Sequence, residues 1–175
     1  TDAAWMVPHF EKMLYDNALL ARLYLHAYMI TGSPKFRVVV EETLDYVIRE
    51  MSAPAGGFYS AQNADTEGVE GKYYLWTLPE VLDAVGGENG ELAAAYFGVT
   101  SGGNFDGKNI LHAAGEPDSD SSSIIAQARL ALLEKREQRV KPERDEKVLT
   151  SWNGWMLAAM AKAACVLNRQ DYLSA

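Results

Sequence analysis

An all-α fold of successive helical hairpins, with one small β-hairpin inserted, is predicted by three features of the chain. The segment from Asn17 to Gly32 aligns without a gap on the segment from Asn153 to Asn168. Asn17 matches Asn153, Ala27 matches Ala163, Gly32 matches Asn168, and beyond the turn Phe36 matches Tyr172. An apolar helix ending in Gly or Asn, a short turn and an aromatic on the next helix make an αα-hairpin unit, and two copies imply a repeated helical array. The second feature is the recurrence of helical spacing in about six segments along the chain. The third is that strand-like sequence is confined to the stretch from Gly57 to Trp76. Together they read as consecutive hairpins of a larger helical toroid or solenoid, with about half of a closed ring present.

The first helix is expected from about Phe10 or Asp16 to Thr31, with apolar residues at Leu14, Ala18, Ala21, Leu25 and Tyr28. Leu20, Leu23, Ala27 and Ile30 widen that stripe, as suits a helix packed on two sides. Ser33-Pro34 starts a second helix through Val38, Glu42, Tyr46 and Ile48 to Met51, since proline fits the first turn. Pro54 to Gly57 ends it. Phe58 to Gln62 and Lys72 to Trp76 read as two short strands joined by an acidic, glycine-containing loop. Thr77 followed three residues later by Glu80 is a capping box, so Leu78-Pro79 opens a short helix through Val85. Gly86-Gly87 breaks it, and Glu91 to Phe97 is one more helical piece. The glycine- and serine-rich stretch from Gly98 to Ser123 is a long loop. Asp120 or Ser121 to Ser123 can cap a helix from Ile124 to about Arg139, which Lys141-Pro142 terminates. Ser151 or Asn153 begins the repeat copy.

A length of 175 residues corresponds to one domain, and a hydrophobic content of 48% is enough to bury a core. The chain opens Thr-Asp-Ala-Ala-Trp without an initiating Met and stops just after Tyr172, so it reads as a piece of a longer polypeptide. A net charge of −8 argues against nucleic acid or an anionic membrane as partner. The one basic cluster, Lys135, Arg136, Arg139, Lys141 and Arg144, is interleaved with Glu134, Glu137, Glu143 and Asp145, as on a solvated helix end. The single Cys165 excludes an intrachain disulfide and any CxxC motif, and its apolar helix predicts a small core residue. With neither a signal peptide nor a membrane-length apolar run, a reducing, cytoplasmic setting is the expectation.

Polar and aromatic residues crowd in front of each repeat copy. His9, Glu11, Asp16 and Asn17 precede or open the first, and Asp16 would be held ionised by the positive end of its helix. His9, Glu11 and Asp16 do not form HExxH, so a zinc hydrolase is unsupported. Asn63-Ala-Asp65-Thr-Glu67-Gly68 resembles the opening of a calcium loop, but position twelve would be Tyr74 and no helix flanks it, so no metal is expected. Asp65 is then an acid/base candidate. Arg144 to Lys147 precedes Trp152 and Asn153, adding Asp145. Paired carboxylates around an aromatic-lined depression suit glycosidic chemistry, which needs a proton donor, a base or nucleophile, and a flat apolar face for the sugar ring. Tyr15, Tyr59, Trp76 and Trp152 can supply that face or simply pack the interior. The glycine-rich loop from Gly102 to Gly107 lacks GK[ST] and a preceding strand, which excludes a phosphate-binding P-loop.

Four long motifs, WMVPHFEKMLYDNALL, GGFYSAQNADTEGVEGKYYLWT, GNFDGKNIL and KVLTSWNGWM, closely resemble the thioredoxin-domain proteins that include bacterial YyaL and the spermatogenesis-associated homologues of animals. The resemblance implies an N-terminal thioredoxin-like domain followed by an (α/α)6 toroid similar to six-hairpin glycosidases and N-acylglucosamine 2-epimerases. It makes residues 1–175 roughly the first half of that toroid, separated from the redox domain and the remaining hairpins. Where the family commonly has Gln-Asp-Ala-Asp, this chain has Asn63 in place of the first acid and retains Asp65.

Two functions follow as expectations. One is binding of a saccharide or small polar ligand, with hydrolysis or epimerisation by Asp65, Asp145 and His9 and no cofactor. Asp16, Asn17, Tyr59, Trp76, Trp152 and Asn153 would bind the substrate, and His112 is a further candidate base that also suits a turn. The other is a non-catalytic helical module that presents clients or ligands to the thioredoxin-like domain of the same polypeptide. The half-toroid's exposed apolar edge would favour a homodimer.

Overall fold

The computed structural model describes residues 1–175 apart from 114, 116 and 120. In chain order its elements are β1 (Lys12–Met13), α1 (Leu14–Thr31), α2 (Pro34–Met51), β2 (Ala61–Gln62), β3 (Asp65–Thr66), β4 (Val69–Glu70), α3 (Leu78–Val85), α4 (Gly87–Tyr96), α5 (Ser122–Glu137), β5 (Arg144–Asp145), α6 (Thr150–Leu167) and α7 (Gln170–Ser174). The fold is all-α with small inserted sheets. No helix among the described residues is long and apolar enough to cross a membrane. The chain divides into two compact units: Thr1–Phe10 with Ala64–Pro142, and Glu11–Asn63 with Glu143–Ala175.

The second unit contains both copies of the repeat. Its two long helices, α1 and α6, have the same length and the same ends at an offset of 136 positions. Each is preceded by an extended residue, Met13 or Leu149, and each closes on a left-handed residue, Gly32 (φ 67°) or Asn168 (φ 57°). The N–H of Gly32 donates to the Tyr28 carbonyl, and that of Asn168 to the Ala164 carbonyl. These are the αL terminators that Gly and Asn tolerate best.

The helices pack directly against each other and run parallel. Tyr15 meets Trp152 near their N-terminal ends, and His26 meets Lys162 toward their C-terminal ends. Parallel neighbours at matching positions are what stacked copies of one repeat produce. Leu14, Ala18, Ala21 and Leu25 of α1 are buried with Met156, Ala159, Met160, Ala163, Ala164 and Leu167 of α6. The alanines allow a short interaxial distance. α2 covers the same core with Val40, Leu44, Val47 and Met51, and Tyr172 of α7 reaches in to bond Asp45 at 2.8 Å.

Two expectations change in this unit. Leu20, Leu23 and Ile30 are exposed, so α1 buries one stripe here and leaves the widened part uncovered. Cys165 is exposed as well, because the buried positions of α6 fall on Ala163, Ala164 and Leu167 and turn Cys165 outward.

A three-stranded antiparallel sheet, ordered β1-β2-β5, ties the starts of the two repeat copies together. Met13 pairs with Ala61 and Lys12 with Gln62, while Ala61 also pairs with Asp145 and Gln62 with Arg144. Phe58 to Gln62 therefore finds partners far away in sequence, not in Lys72 to Trp76. The inserted β-hairpin is present, but it lies within the stretch read as a loop.

That hairpin, β3-β4, belongs to the first unit and pairs Asp65 with Glu70 and Thr66 with Val69. Its turn residues Glu67 and Gly68 both have positive φ, 53° and 75°, as a two-residue type I′ turn demands. Residues 72–76 form turns instead of a strand, ending where Trp76 exchanges backbone hydrogen bonds with Asn109.

The capping box predicted at α3 is complete. The Glu80 N–H donates to Thr77 Oγ1 at 3.4 Å, and the Thr77 N–H donates to Glu80 Oε2 at 2.7 Å. α3, α4 and α5 pack on one another around Trp76, Val81, Ala93, Phe97, Ile125, Ala128 and Leu132. α5 starts after Ser121; Asp120, the other expected cap, lies outside the described residues. A smaller core joins Phe10, Leu75 and Ile110. Gly71 is required there, because a Cβ at its position would stand 2.7 Å from the Phe10 ring.

Candidate functional site

Six of the sequence-selected residues gather in the second unit, where the sheet meets the N-terminal ends of α1 and α6. Asn17 and Asn153 occupy equivalent positions and make equivalent bonds. The Asn17 Nδ2 donates to the Met13 carbonyl at 2.8 Å, and the Asn153 Nδ2 to the Leu149 carbonyl at 3.0 Å. Asn153 does more: its Oδ1 accepts the Phe58 N–H at 2.7 Å and its Nδ2 also donates to the Phe58 carbonyl at 3.0 Å. The amide thus acts as a strand partner for the residue entering β2.

Trp152 lies edge-on to Tyr15 with ring centroids 4.7 Å apart, and Asp16 is half-buried in the first turn of α1. The Tyr59 ring is covered by the Arg144 guanidinium at 4.5 Å, whose Nη1 donates to the Glu50 carbonyl at 2.8 Å. Asp145 bonds Lys147 twice, to Nζ at 3.0 Å and to the backbone N–H at 3.3 Å. The hydrogen bond from the Lys147 side chain, seconded by its backbone N–H, holds the Asp145 carboxyl below the usual carboxylate range. Beside Asn17, a recess of about 280 Å³ is lined by Lys12, Val39, Glu42, Thr43 and Tyr46.

His9, Asp65 and Trp76 belong to the first unit. His9 is exposed and precedes the buried Phe10. Asp65 is exposed on β3 opposite Glu70. Trp76 is only 2% exposed, and the Arg139 guanidinium sits over its ring at 4.0 Å. Its flat face is occupied from within the protein. His112 donates its backbone N–H to the Phe97 carbonyl, and its ring fills the space a side chain at Gly98 would need. Among the described residues no group of three or more His, Cys, Asp or Glu side chains is placed to hold a metal ion.

The sequence reading passed over a second recess, about 230 Å³, in the first unit. Thr66, Lys72, Glu80, Lys108 and Arg139 line it together with Glu67 and the apolar Leu75 and Val140. Arg139 is locked in place: Nη1 donates to the carbonyls of Tyr73 at 3.0 Å and Leu75 at 2.7 Å, and Nη2 to Glu80 Oε1 at 3.3 Å. Burial pushes the Glu80 carboxyl upward, but hydrogen bonds from Thr77 and the charge of Arg139 outweigh it and leave the group below its ordinary value. The buried Thr66 hydroxyl has no hydrogen-bond partner among the described residues, an omission that costs about 1–3 kcal/mol unless something satisfies it. Lys108 lies in a glycine-rich loop and Arg139 at a helix end in the sequence, and only the fold brings them together.

The GNFDGKNIL motif also gains a structural meaning. Asn109, 1% exposed, donates from Nδ2 to the carbonyls of Trp76 and Thr100 and accepts the Thr100 N–H on Oδ1. Asn104 exchanges two hydrogen bonds with the backbone of Ile110. Both asparagines pin the loop that carries Lys108.

No family model matches the chain. It is 35% identical to spermatogenesis-associated protein 20 of Rattus norvegicus and 33% identical to that of Homo sapiens, each across 99% of this chain. An uncharacterized protein of Caenorhabditis elegans is 28% identical across 97% of it. The chain spans 26% of the length of the rat and human relatives and 28% of the nematode one.

Proposed function

Because the chain matches the spermatogenesis-associated family along nearly its whole length, we propose that it is a non-catalytic helical module that presents a client or small ligand to the thioredoxin-like domain of a longer polypeptide. The observation that carries this reading is the commitment of the polar groups around the α1 and α6 starts to the fold itself. Asn17 and Asn153 bond backbone, Arg144 covers Tyr59, and Asp145 is tied to Lys147. A glycosidic proton donor needs a raised pKa, whereas Asp145 is held low.

A saccharide site, with hydrolysis or epimerisation, is the second reading. It draws on Asp16, Trp152 and Tyr15 lying at adjacent helix starts, with an open recess beside Asn17. Carboxyls of a retaining pair stand about 5 Å apart and those of an inverting pair roughly 6.5–9.5 Å apart. Thermal unfolding of the full-length parent with mono- and disaccharides separates the two readings, using Asp16→Ala and Asp65→Ala variants. The module reading expects no sugar to stabilise the parent. It also expects a reduced, unfolded test protein to be retained by the parent and released when this segment is deleted. A sugar whose stabilisation disappears in either variant overturns it in favour of carbohydrate binding.

A further inference from the structure

We propose that the recess of the first unit lined by Thr66, Lys72, Glu80, Lys108 and Arg139 is a binding site for a small ligand carrying one oxyanion, a carboxylate or a phosphate ester. The charge balance supports a single negative group. Lys72 is paired with Glu67 at 2.7 Å and Arg139 with Glu80 at 3.3 Å, so two of the three cations are matched within the recess. Lys108 has no ion pair among the described residues; its charge reaches only Glu80, which Arg139 already pairs, so the lining carries one net positive charge.

The recess is built, not merely charged. Arg139 is fixed by two backbone carbonyls and by the Trp76 ring beneath it, so ordering it on binding costs little. Lys108 sits in a tight turn: Phe105 and Lys108 exchange backbone hydrogen bonds, and Asn104 and Asn109 anchor the flanks. The buried Leu75 provides an apolar wall that strengthens an ionic contact beside it, and the more exposed Val140 borders the opening. Thr66 is 4% exposed, and its hydroxyl is a donor lacking a partner among the described residues. A buried polar atom without a partner calls for an explanation, and an acceptor oxygen reached by a small rotation of the Thr66 side chain on binding is one. Tyr73 also lines the recess, and its hydroxyl is engaged with Glu137, to which it donates at 2.9 Å.

Size narrows the class further. A volume of about 230 Å³ falls below the roughly 300–1,000 Å³ of pockets for drug-sized ligands, so the occupant is a small acid or monophosphate and not a nucleotide or peptide. This inference is independent of whether the second unit binds sugar or client.

The test is calorimetric titration of the intact 175-residue chain with inorganic phosphate and, separately, with succinate, at ionic strength held constant with chloride. Saturable binding of one or both is expected, and which of them binds identifies the oxyanion. Lys108→Gln should weaken it about tenfold or more, and Thr66→Val by a smaller factor. Lys135→Gln should bind as the parent does, since Lys135 pairs with Asp83 outside the recess. Absence of saturable binding by both anions overturns the proposal, as does unchanged affinity in Lys108→Gln or an equal loss in Lys135→Gln. If Thr66→Val fails to fold, the lysine pair still decides.

Discussion

Asn153 shows how much one side chain can hold. Its amide, 95 positions from Phe58 along the chain, satisfies both backbone groups of that residue and also the carbonyl of Leu149. Among the described residues its counterpart Asn17 makes only the local bond to Met13. Removing a partner from a buried backbone group costs about 1–3 kcal/mol, while a typical hydrogen bond contributes about 1 kcal/mol net. Asn153→Ala should therefore destabilise the chain by about 2–4 kcal/mol and Asn17→Ala by about 1 kcal/mol, measured by denaturant unfolding. Equal losses at the two positions would show that the Phe58 clamp adds nothing. The alignment of the two asparagines was legible in the sequence, because equivalent helices carry equivalent residues. Their role was not, since a substrate hydroxyl and a backbone carbonyl make the same demand on an amide. Trp76 misleads in the same way: an aromatic suited to stacking on a sugar ring is equally suited to stacking under Arg139.

At the scale of elements, helix ends were readable and strand pairings were not. Ser33-Pro34, the Thr77 to Glu80 box and the Gly32 and Asn168 terminators act on their own backbone, so local chemistry predicts them. The sheet joins Lys12, Gln62 and Arg144 through strands of two residues, too short for any periodicity to announce them. The α3 cap makes a pH prediction. Glu80 is held below its ordinary value in the fold, so it binds its proton more weakly there than in the unfolded chain. Its contribution is complete above the unfolded value of about 4.3 and is lost as pH falls through the lower folded value. Stability measured by denaturant unfolding from pH 7 to pH 3 should therefore decline less steeply in Glu80→Gln than in the parent. Parallel acid limbs would mean that Thr77 and Arg139 do not favour the ionised form. Thr77→Ala, which removes the reciprocal bond, should cost about 1 kcal/mol at neutral pH.

For the whole molecule, the unit that holds the repeat is discontinuous in sequence, and length alone suggested one domain. Composition carries no trace of that division, because a unit boundary depends on which segments pack and not on what they contain. Glu11–Asn63 and Glu143–Ala175 form one unit although residues 64–142 separate them. The break is narrow in space: the Asn63 N–H donates to the Glu143 carbonyl at 2.8 Å, one step beyond the Gln62–Arg144 pair. Two antiparallel strands in that register accept a two-residue Asn-Gly turn. Replacing residues 64–142 by Asn-Gly should therefore yield a protein with helical circular dichroism and cooperative thermal unfolding. The segment 11–63 alone should lack cooperative unfolding, because without α6 the buried face of Leu14, Ala18, Ala21 and Leu25 loses its cover. Truncating a core of this kind costs well over the about 2–5 kcal/mol of a single large-to-alanine change, a substantial part of a small domain's stability. A non-cooperative Asn-Gly version would mean that the stacked repeat pair does not fold without residues 64–142; cooperative unfolding of 11–63 alone would mean that α1 and α2 need no second copy.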